Sequence, residues 1–381
     1  MPRVAICGPS CYTVAAQFIL GFQRIGWEVV RVGNDDPIPH ADPNNFVATP
    51  RNGGFTTEYW VQPCGESEER ERGDITWQEF HDEIGGQALD LVFVLEGSWS
   101  FIGPRVAPYE DTPVFFFAAD PSRGPEKHVR DAVKSGAEFI FVQASHFVLA
   151  YQCPGSIARC IEFYRGIKPA APKPPAPRFR AEYRFPFSYH DGIFQPDWNA
   201  TKEFDIVFLG SWFPRGADGK FVTTYGEAWH RSRLLELLAQ DREFKTLIAP
   251  IRPPQEWARV VHQGHILLHY NGGTFPYYTG FTIRPFEIMG SGEFLLMNDD
   301  LDNQTELRSE EHFGGFPTFY HPLHHHFDFF DYPVFKQTVR RWLEDDKGRE
   351  RVRRAGYDHV RACHKPEDRA RKIQTVLKEL R

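Results

Sequence analysis

RPFEIMGSGEFLLMNDD, residues 284–300, is the stretch that decides how this 381-residue chain is read. A short helix-like segment carries Arg284 and Glu287 three positions apart, which puts both on one helical face. Gly290-Ser291-Gly292 forms a turn, an apolar strand follows over 293–297, and Asn298-Asp299-Asp300 closes it. Helix, turn and apolar strand in succession are part of a parallel β-α-β unit. The two charged groups suit one ligand chemistry. Arginine offers a rigid fork of donors that fits a diphosphate. A glutamate on the same face can accept two hydrogen bonds from vicinal hydroxyls, as on a ribose. The place for such a pair is the carboxyl edge of a parallel sheet.

The same alternation extends outward from this stretch. In the second half, strands are expected at 205–209 (DIVFL), 246–249 and 266–269, with helices at 229–239 and 255–263. In the first half, RVAICG (3–8) reads as a buried strand, 14–25 as a helix and 28–32 as the next strand. LDLVFVL (89–95) and PVFFFA (113–118) are continuous apolar runs of the kind buried on both faces of a sheet. A short helix is expected at 77–85, a helix at 128–135, a strand at 139–142 and a last strand at 183–187. Residues 37–73 are polar, rich in proline and glycine, and read as irregular. Repeated units in each half predict a doubly wound α/β chain with two sheets. Three amphipathic helices, 333–343, 349–361 and 366–380, end it. KPAAPKPPAP (168–177) has the composition of an extended linker. It is read as a surface loop, with the hinge at 197–204; a hinge at the proline tract itself is the alternative.

Composition bounds the function. Hydrophobic residues make up 41% and the net charge is −7. Residues 1–165 hold 13 basic and 22 acidic side chains, which leaves the remainder at +2. An acidic first half disfavours a polyanionic partner such as DNA, whose binding needs lysine and arginine against phosphates. No apolar run reaches the length of a membrane span, and MPRVAICGPS reads as a first strand rather than a leader peptide. Cys7, Cys11, Cys64, Cys153, Cys160 and Cys363 make no C-x-x-C pair. They read as reduced structural thiols in a cytoplasmic protein.

The 284–300 stretch resembles the donor-site segment of the CgeB-like glycosyltransferases, spore-maturation-protein-like enzymes with the pattern R-x-F-E-I-x-x-x-G followed by an apolar strand. Other parts fall in the same order. DIVFLGS (205–211) resembles the first strand and glycine turn of that family's second domain, and RSRLL (231–235) its arginine-bearing helix. Phe194-Gln195-Pro196 resembles the stop before its hinge. The chain's HKPEDR (364–369) stands where the family ends H-T-Y-x-x-R, a departure at two positions.

The resemblance implies a GT-B architecture, two Rossmann-like domains around a cleft, with the last helix crossing back to the first. Residues 1–200 with 366–381 would form the acceptor domain and 201–365 the donor domain. The implied activity is transfer of a sugar from a nucleoside diphosphate donor, a UDP-sugar first, without metal or other cofactor.

Several residues are candidates for that chemistry. Arg284 is the first choice for the diphosphate; a surface arginine paired with Glu287 or Asp299 is the plain alternative. Glu287 matches the family glutamate expected to hold ribose. Eight positions before it stands Thr279, so the first glutamate of the E-x7-E motif common in retaining relatives is missing.

Gly210 and Ser211 follow a strand, where their backbone can face phosphates. Arg215, Arg231 and Arg233 are nearby cations, with a solvated helix face as the alternative for the last two. Asn271 follows the strand ILLHY, and Ser291 and Gly292 either admit a phosphate or end the helix. For the acceptor, Asp120, Glu96 and His146 each follow a first-half strand and are ranked in that order as catalytic base, with a structural loop residue as the default for each taken singly. His321, His324, His325 and His326 invite a metal. Consecutive histidines do not converge on one point, so a packed or solvated loop is the default. A non-catalytic nucleotide-sugar binder and an epimerase-like enzyme remain rival readings.

Overall fold

The computed structural model describes residues 1–8, 14–32, 75–95, 101–118, 132–142, 180–183, 185–210, 229–249, 254–270, 283–298, 318–319 and 332–380. Two parallel sheets organise them. The first is built from β1 (Arg3–Cys7), β2 (Glu28–Val32), β4 (Leu91–Leu95), β6 (Val114–Ala118), β7 (Phe139–Val142) and β8 (Arg180–Tyr183). Their spatial order is β2-β1-β4-β6-β7-β8. The second holds β9 (Phe204–Leu209), β10 (Thr246–Ala249), β11 (Gly264–His269), β12 (Leu295–Asn298) and β13 (Thr318–Phe319), ordered β10-β9-β11-β12-β13. Every pairing in both is parallel. A small separate pair joins β3 (Ile75–Thr76) to β5 (Phe101–Ile102).

Side-chain alternation explains why the apolar runs make central strands. Leu91, Phe93 and Leu95 of β4 face one core, while Val92 and Val94 face another. β6 divides the same way, with Phe115 and Phe117 against Val114, Phe116 and Ala118. Burial of each large apolar side chain stabilises by about 1.5–3 kcal/mol. A strand covered on both faces therefore has no position where a polar residue is favoured. The first core continues into the second sheet, through Val207, Leu209, Leu267 and Leu295. One apolar layer thus joins the facing sides of the two sheets.

Helices complete the layers. They are α1 (Val14–Arg24), α2 (Trp77–Glu83), α3 (Trp229–Gln240), α4 (Pro254–Val260), α5 (Ile283–Gly290), α6 (Tyr332–Glu344), α7 (Asp346–Cys363) and α8 (Pro366–Leu380). The final helix does cross back. Ala370, Ile373, Val376 and Leu377 recur at helical spacing on its buried face, and α8 packs on α1. Gly21 of α1 allows this approach, because a β-carbon there would collide with the Pro366 carbonyl. Arg24 then bridges Asp191 at 2.7 Å and Glu367 at 3.0 Å. These bonds tie the first helix to the segment between the two sheets and to the last helix.

Several boundaries differ from the sequence reading, and two of the differences have a visible physical reason. The last strand of the first sheet is Arg180–Tyr183, not 183–187. Pro186 has no N–H to give a ladder, and the carbonyls of Pro186 and Phe187 are taken by Arg369. The expected helix over 255–263 ends at Val260 and tightens into a 3-10 turn, Val261–Gln263. The strand expected at 293–297 begins at Leu295, because Glu293 is buried in an ion cluster. Its carboxylate meets Lys202 at 2.6 Å and His262 at 2.8 Å. The 37–73 segment, the 168–177 proline tract and the 321–326 histidines lie outside the described residues, as does the first half of the helix expected at 128–135.

Candidate functional site

In the second sheet β10 lies on one side of β9 and β11 on the other. The strand order therefore reverses between β9 and β11. In an open parallel sheet the helices on either side of such a point leave opposite faces, and a crevice opens beyond the carboxyl ends of the two strands. Gly210 stands at the end of β9, its N–H donating to the Ala249 carbonyl at 3.1 Å. His269 ends β11, and Tyr270 follows.

Two helices begin at this edge with an arginine in the first turn. Arg231 is the third residue of α3 and Arg284 the second of α5, and neither first turn carries an acidic residue. A helix N-terminus carries partial positive charge and unsatisfied N–H groups, so each arginine adds to a field already positive. The consequence is visible at His269, which is 7% exposed. Burial and, after it, the charges of Arg284 and Arg231 push its pKa down to about 3. The imidazole is neutral at pH 7. Burial likewise raises the Tyr270 phenol far above its ordinary value, with Arg231 opposing.

All eight residues of α5 are buried, the pattern of a helix packed on every side. Arg284 is 8% exposed and Glu287 fully buried. Nη1 of Arg284 donates to Oε2 of Glu287 at 2.5 Å. The guanidinium lies over the indole of Trp257, which comes from α4. The i, i+3 spacing read from the sequence thus produces a contact, and it is a buried ion pair rather than a surface one. A buried charge of this kind persists only when matched by a counter-charge and hydrogen bonds.

The structure brings Arg231, Arg284, Glu287 and Gly210 to one sheet edge. It gives three other candidates different tasks. Arg233 is held by Glu236 at 2.7 Å and is 40% exposed. Ser291 and Gly292 sit at the opposite end of α5 from Arg284. Ser291 Oγ donates to the Glu287 carbonyl at 2.9 Å, and Gly292, with φ +68°, closes the helix. A β-carbon at Gly292 would press on Pro196 and Trp198. Pro196 and Trp198 therefore lie close against the turn that ends this helix.

Ser211, Arg215 and Asn271 lie outside the described residues. So do Glu96, Asp120 and His146, although the strands before them, β4, β6 and β7, are neighbours in the first sheet. His269, Tyr270 and Trp257 were not singled out from sequence. A lone histidine ending a strand and a tryptophan on a short helix carry no spacing signal. Among the described residues no group of three or more histidine, cysteine or acidic side chains could hold a metal. No helix there is long and apolar enough to cross a membrane.

Residues 202–375 match the model of a family described as glycosyl transferase-like. No curated protein matches the chain. Among solved structures, the sucrose-phosphate synthase (tll1590) of Thermosynechococcus elongatus is similar across 100% of this chain and 99% of that one, at 11% identity and TM-score 0.53. The N-terminal domain of Candida albicans trehalose-6-phosphate phosphatase aligns over 99% and 97%, at 10% identity and TM-score 0.47. A putative UDP-N-acetylglucosamine 2-epimerase of Listeria monocytogenes aligns over 99% and 95%, at 11% identity and TM-score 0.43. The likeness to the first is one of fold: the two parallel sheets form a GT-B architecture.

Proposed function

We propose, taking the glycosyl transferase-like match of residues 202–375 as premise, that this chain moves a sugar from a nucleoside diphosphate sugar to an acceptor hydroxyl. The observation that carries the reading is the buried Arg284–Glu287 pair at the strand-order reversal of the second sheet, beside Arg231 and His269. The CgeB-like subfamily and a UDP-sugar donor are part of the proposal. So is a division into a first domain, residues 1–200 with 366–381, and a donor domain, 201–365.

The chemistry follows from where charge develops. As the glycosidic bond breaks, negative charge accumulates on the leaving diphosphate. Groups already oriented toward that charge lower the barrier most. Arg284, with Arg231 and two helix N-termini, supplies such a field, and burial away from water strengthens it. Glu287 orients the guanidinium and is assigned the ribose hydroxyls. In this reading the arginines do the electrostatic work, and no metal is assigned. The acceptor enters from the first domain, where Asp120, then Glu96, then His146 are assigned to orient or deprotonate the hydroxyl of an inverting enzyme. Thr279 in place of a first glutamate gives the retaining E-x7-E reading no support.

The test is release of nucleoside diphosphate from a panel of nucleotide sugars, paired with thermal shift by UDP and other nucleoside diphosphates. A transferase releases nucleoside diphosphate and is stabilised by it. A binding protein is stabilised but releases none. An epimerase converts the sugar without acceptor. Absence of both stabilisation and turnover across the panel removes the proposal.

A further inference from the structure

The segment joining the two sheets touches α5 twice. Tyr189 lies against Gly290 at the carboxyl end of the helix, so close that a β-carbon on Gly290 would overlap the phenol ring. The second contact runs through the start of the last helix. Arg369, 9% exposed, donates from Nε to the Pro186 carbonyl at 2.6 Å and from Nη2 to the Phe187 carbonyl at 3.2 Å. Its Nη1 donates to the Cys363 carbonyl at 3.3 Å, and Nη2 also meets Nδ1 of His364. His364 is buried in turn. Its ring packs on Phe286 with centroids 4.8 Å apart, and its carbonyl accepts from the Tyr189 N–H at 3.4 Å.

Phe286 stands between Arg284 and Glu287 in sequence but on a different face of the helix. α5 is therefore wedged. Trp257 lies under Arg284 on one side, and His364 presses on Phe286 on another. Met289 rests near Gly356 of α7. One planar guanidinium serves three carbonyls and a ring, a geometry that a lysine ammonium cannot reproduce.

We propose that Arg369 and His364 are positioning residues for donor binding, a relay that fixes α5, and with it Arg284 and Glu287, to residues 186–189, which lead out of the first sheet. The relay rests on the donor-site reading given above. Neither residue touches the donor. Each acts by holding the helix that does, so residues 186–189 cannot shift against the second sheet without moving the diphosphate-binding pair.

Arg369→Lys and His364→Gln, each in the full chain, test this. UDP affinity by calorimetry, donor KM and kcat, and hydrogen exchange of α5 amides relative to α3 are the readouts. The expected result is a rise of about tenfold in UDP Kd for Arg369→Lys, a rise in donor KM that exceeds the fall in kcat, and faster exchange confined to α5 and residues 187–189. UDP affinity within about twofold of the parent in both variants overturns the relay. So does exchange that quickens equally in α3 and α5, which marks a merely structural role. If the parent chain binds no UDP, the donor reading fails, and the exchange pattern alone then decides the relay. If Arg369→Lys does not fold, His364→Gln carries the decision.

Discussion

Arg284 and Glu287 meet at 2.5 Å on a helix with no exposed face. Removing the arginine takes the salt-bridge partner away from a buried carboxylate. Arg284→Met is expected to destabilise the fold by about 3–5 kcal/mol, the usual cost of breaking a buried pair. Arg284→Met with Glu287→Leu removes both charges and is expected to recover a large part of that loss. Urea unfolding of the three proteins checks this. A double variant as unstable as the single one would show that charge burial is not what the pair controls.

His269 links the site to pH. Its pKa is held at about 3 in the folded chain against an ordinary 6.5, by burial first and then by Arg284 and Arg231. Between these values the unfolded chain binds a proton that the folded chain does not. Stability from this group is therefore complete above pH 6.5 and is lost as pH falls toward 3. His269→Asn is expected to flatten the slope of unfolding free energy against pH between 6 and 4. His364, also held low by burial and by Arg369, keeps its own share of the slope. An unchanged slope in the variant would take His269 out of the buried positive field.

The crossing of the last helix depends on one missing side chain. Gly21→Ala places a β-carbon against the Pro366 carbonyl. The backbones must separate, at a cost of about 1–3 kcal/mol for overpacking. The loss should appear as a lower melting temperature with the strands of the second sheet least affected in hydrogen exchange. No loss of stability would mean that α1 and α8 are not in the contact described.

Glu293 offers a comparison outside the site. Lys202 reaches it from the interdomain segment, with His262 beside it and Arg353 at 3.9 Å. Lys202→Met should cost about 1.5–3 kcal/mol, the range for a hydrogen bond to a charged group. That is less than the cost expected for Arg284→Met, because His262 and Arg353 stay beside Glu293. UDP affinity should not change. A cost equal to that of Arg284→Met would contradict this ranking.

Much of the architecture was legible because its signals are local. VFFFA at 114–118 and LVFVL at 91–95 are apolar at every position, and only a strand covered on both faces rewards that pattern. The same local reading failed at 183–187. There a proline and a buried arginine from 183 residues further along withdrew the backbone from the sheet. Ser291 and Gly292 show the same limit. Their motif allowed two uses, and that Pro196 and Trp198 pack against Gly292 is something no local pattern carries.

By itself the order of residues determined the alternation of strand and helix, the parallel sheets, and the spacing that lets Arg284 reach Glu287. Periodicity and i, i+3 geometry act over a few residues and need no knowledge of the rest. Tertiary structure alone decided that this pair is buried on Trp257, that Arg231 rather than Arg233 shares its field at His269, and that Arg369 and His364 stand between residues 186–187 and Phe286 of α5. Those facts depend on which distant segments share one volume. Burial and the summed field of separate charges are properties of that volume, not of any stretch of chain.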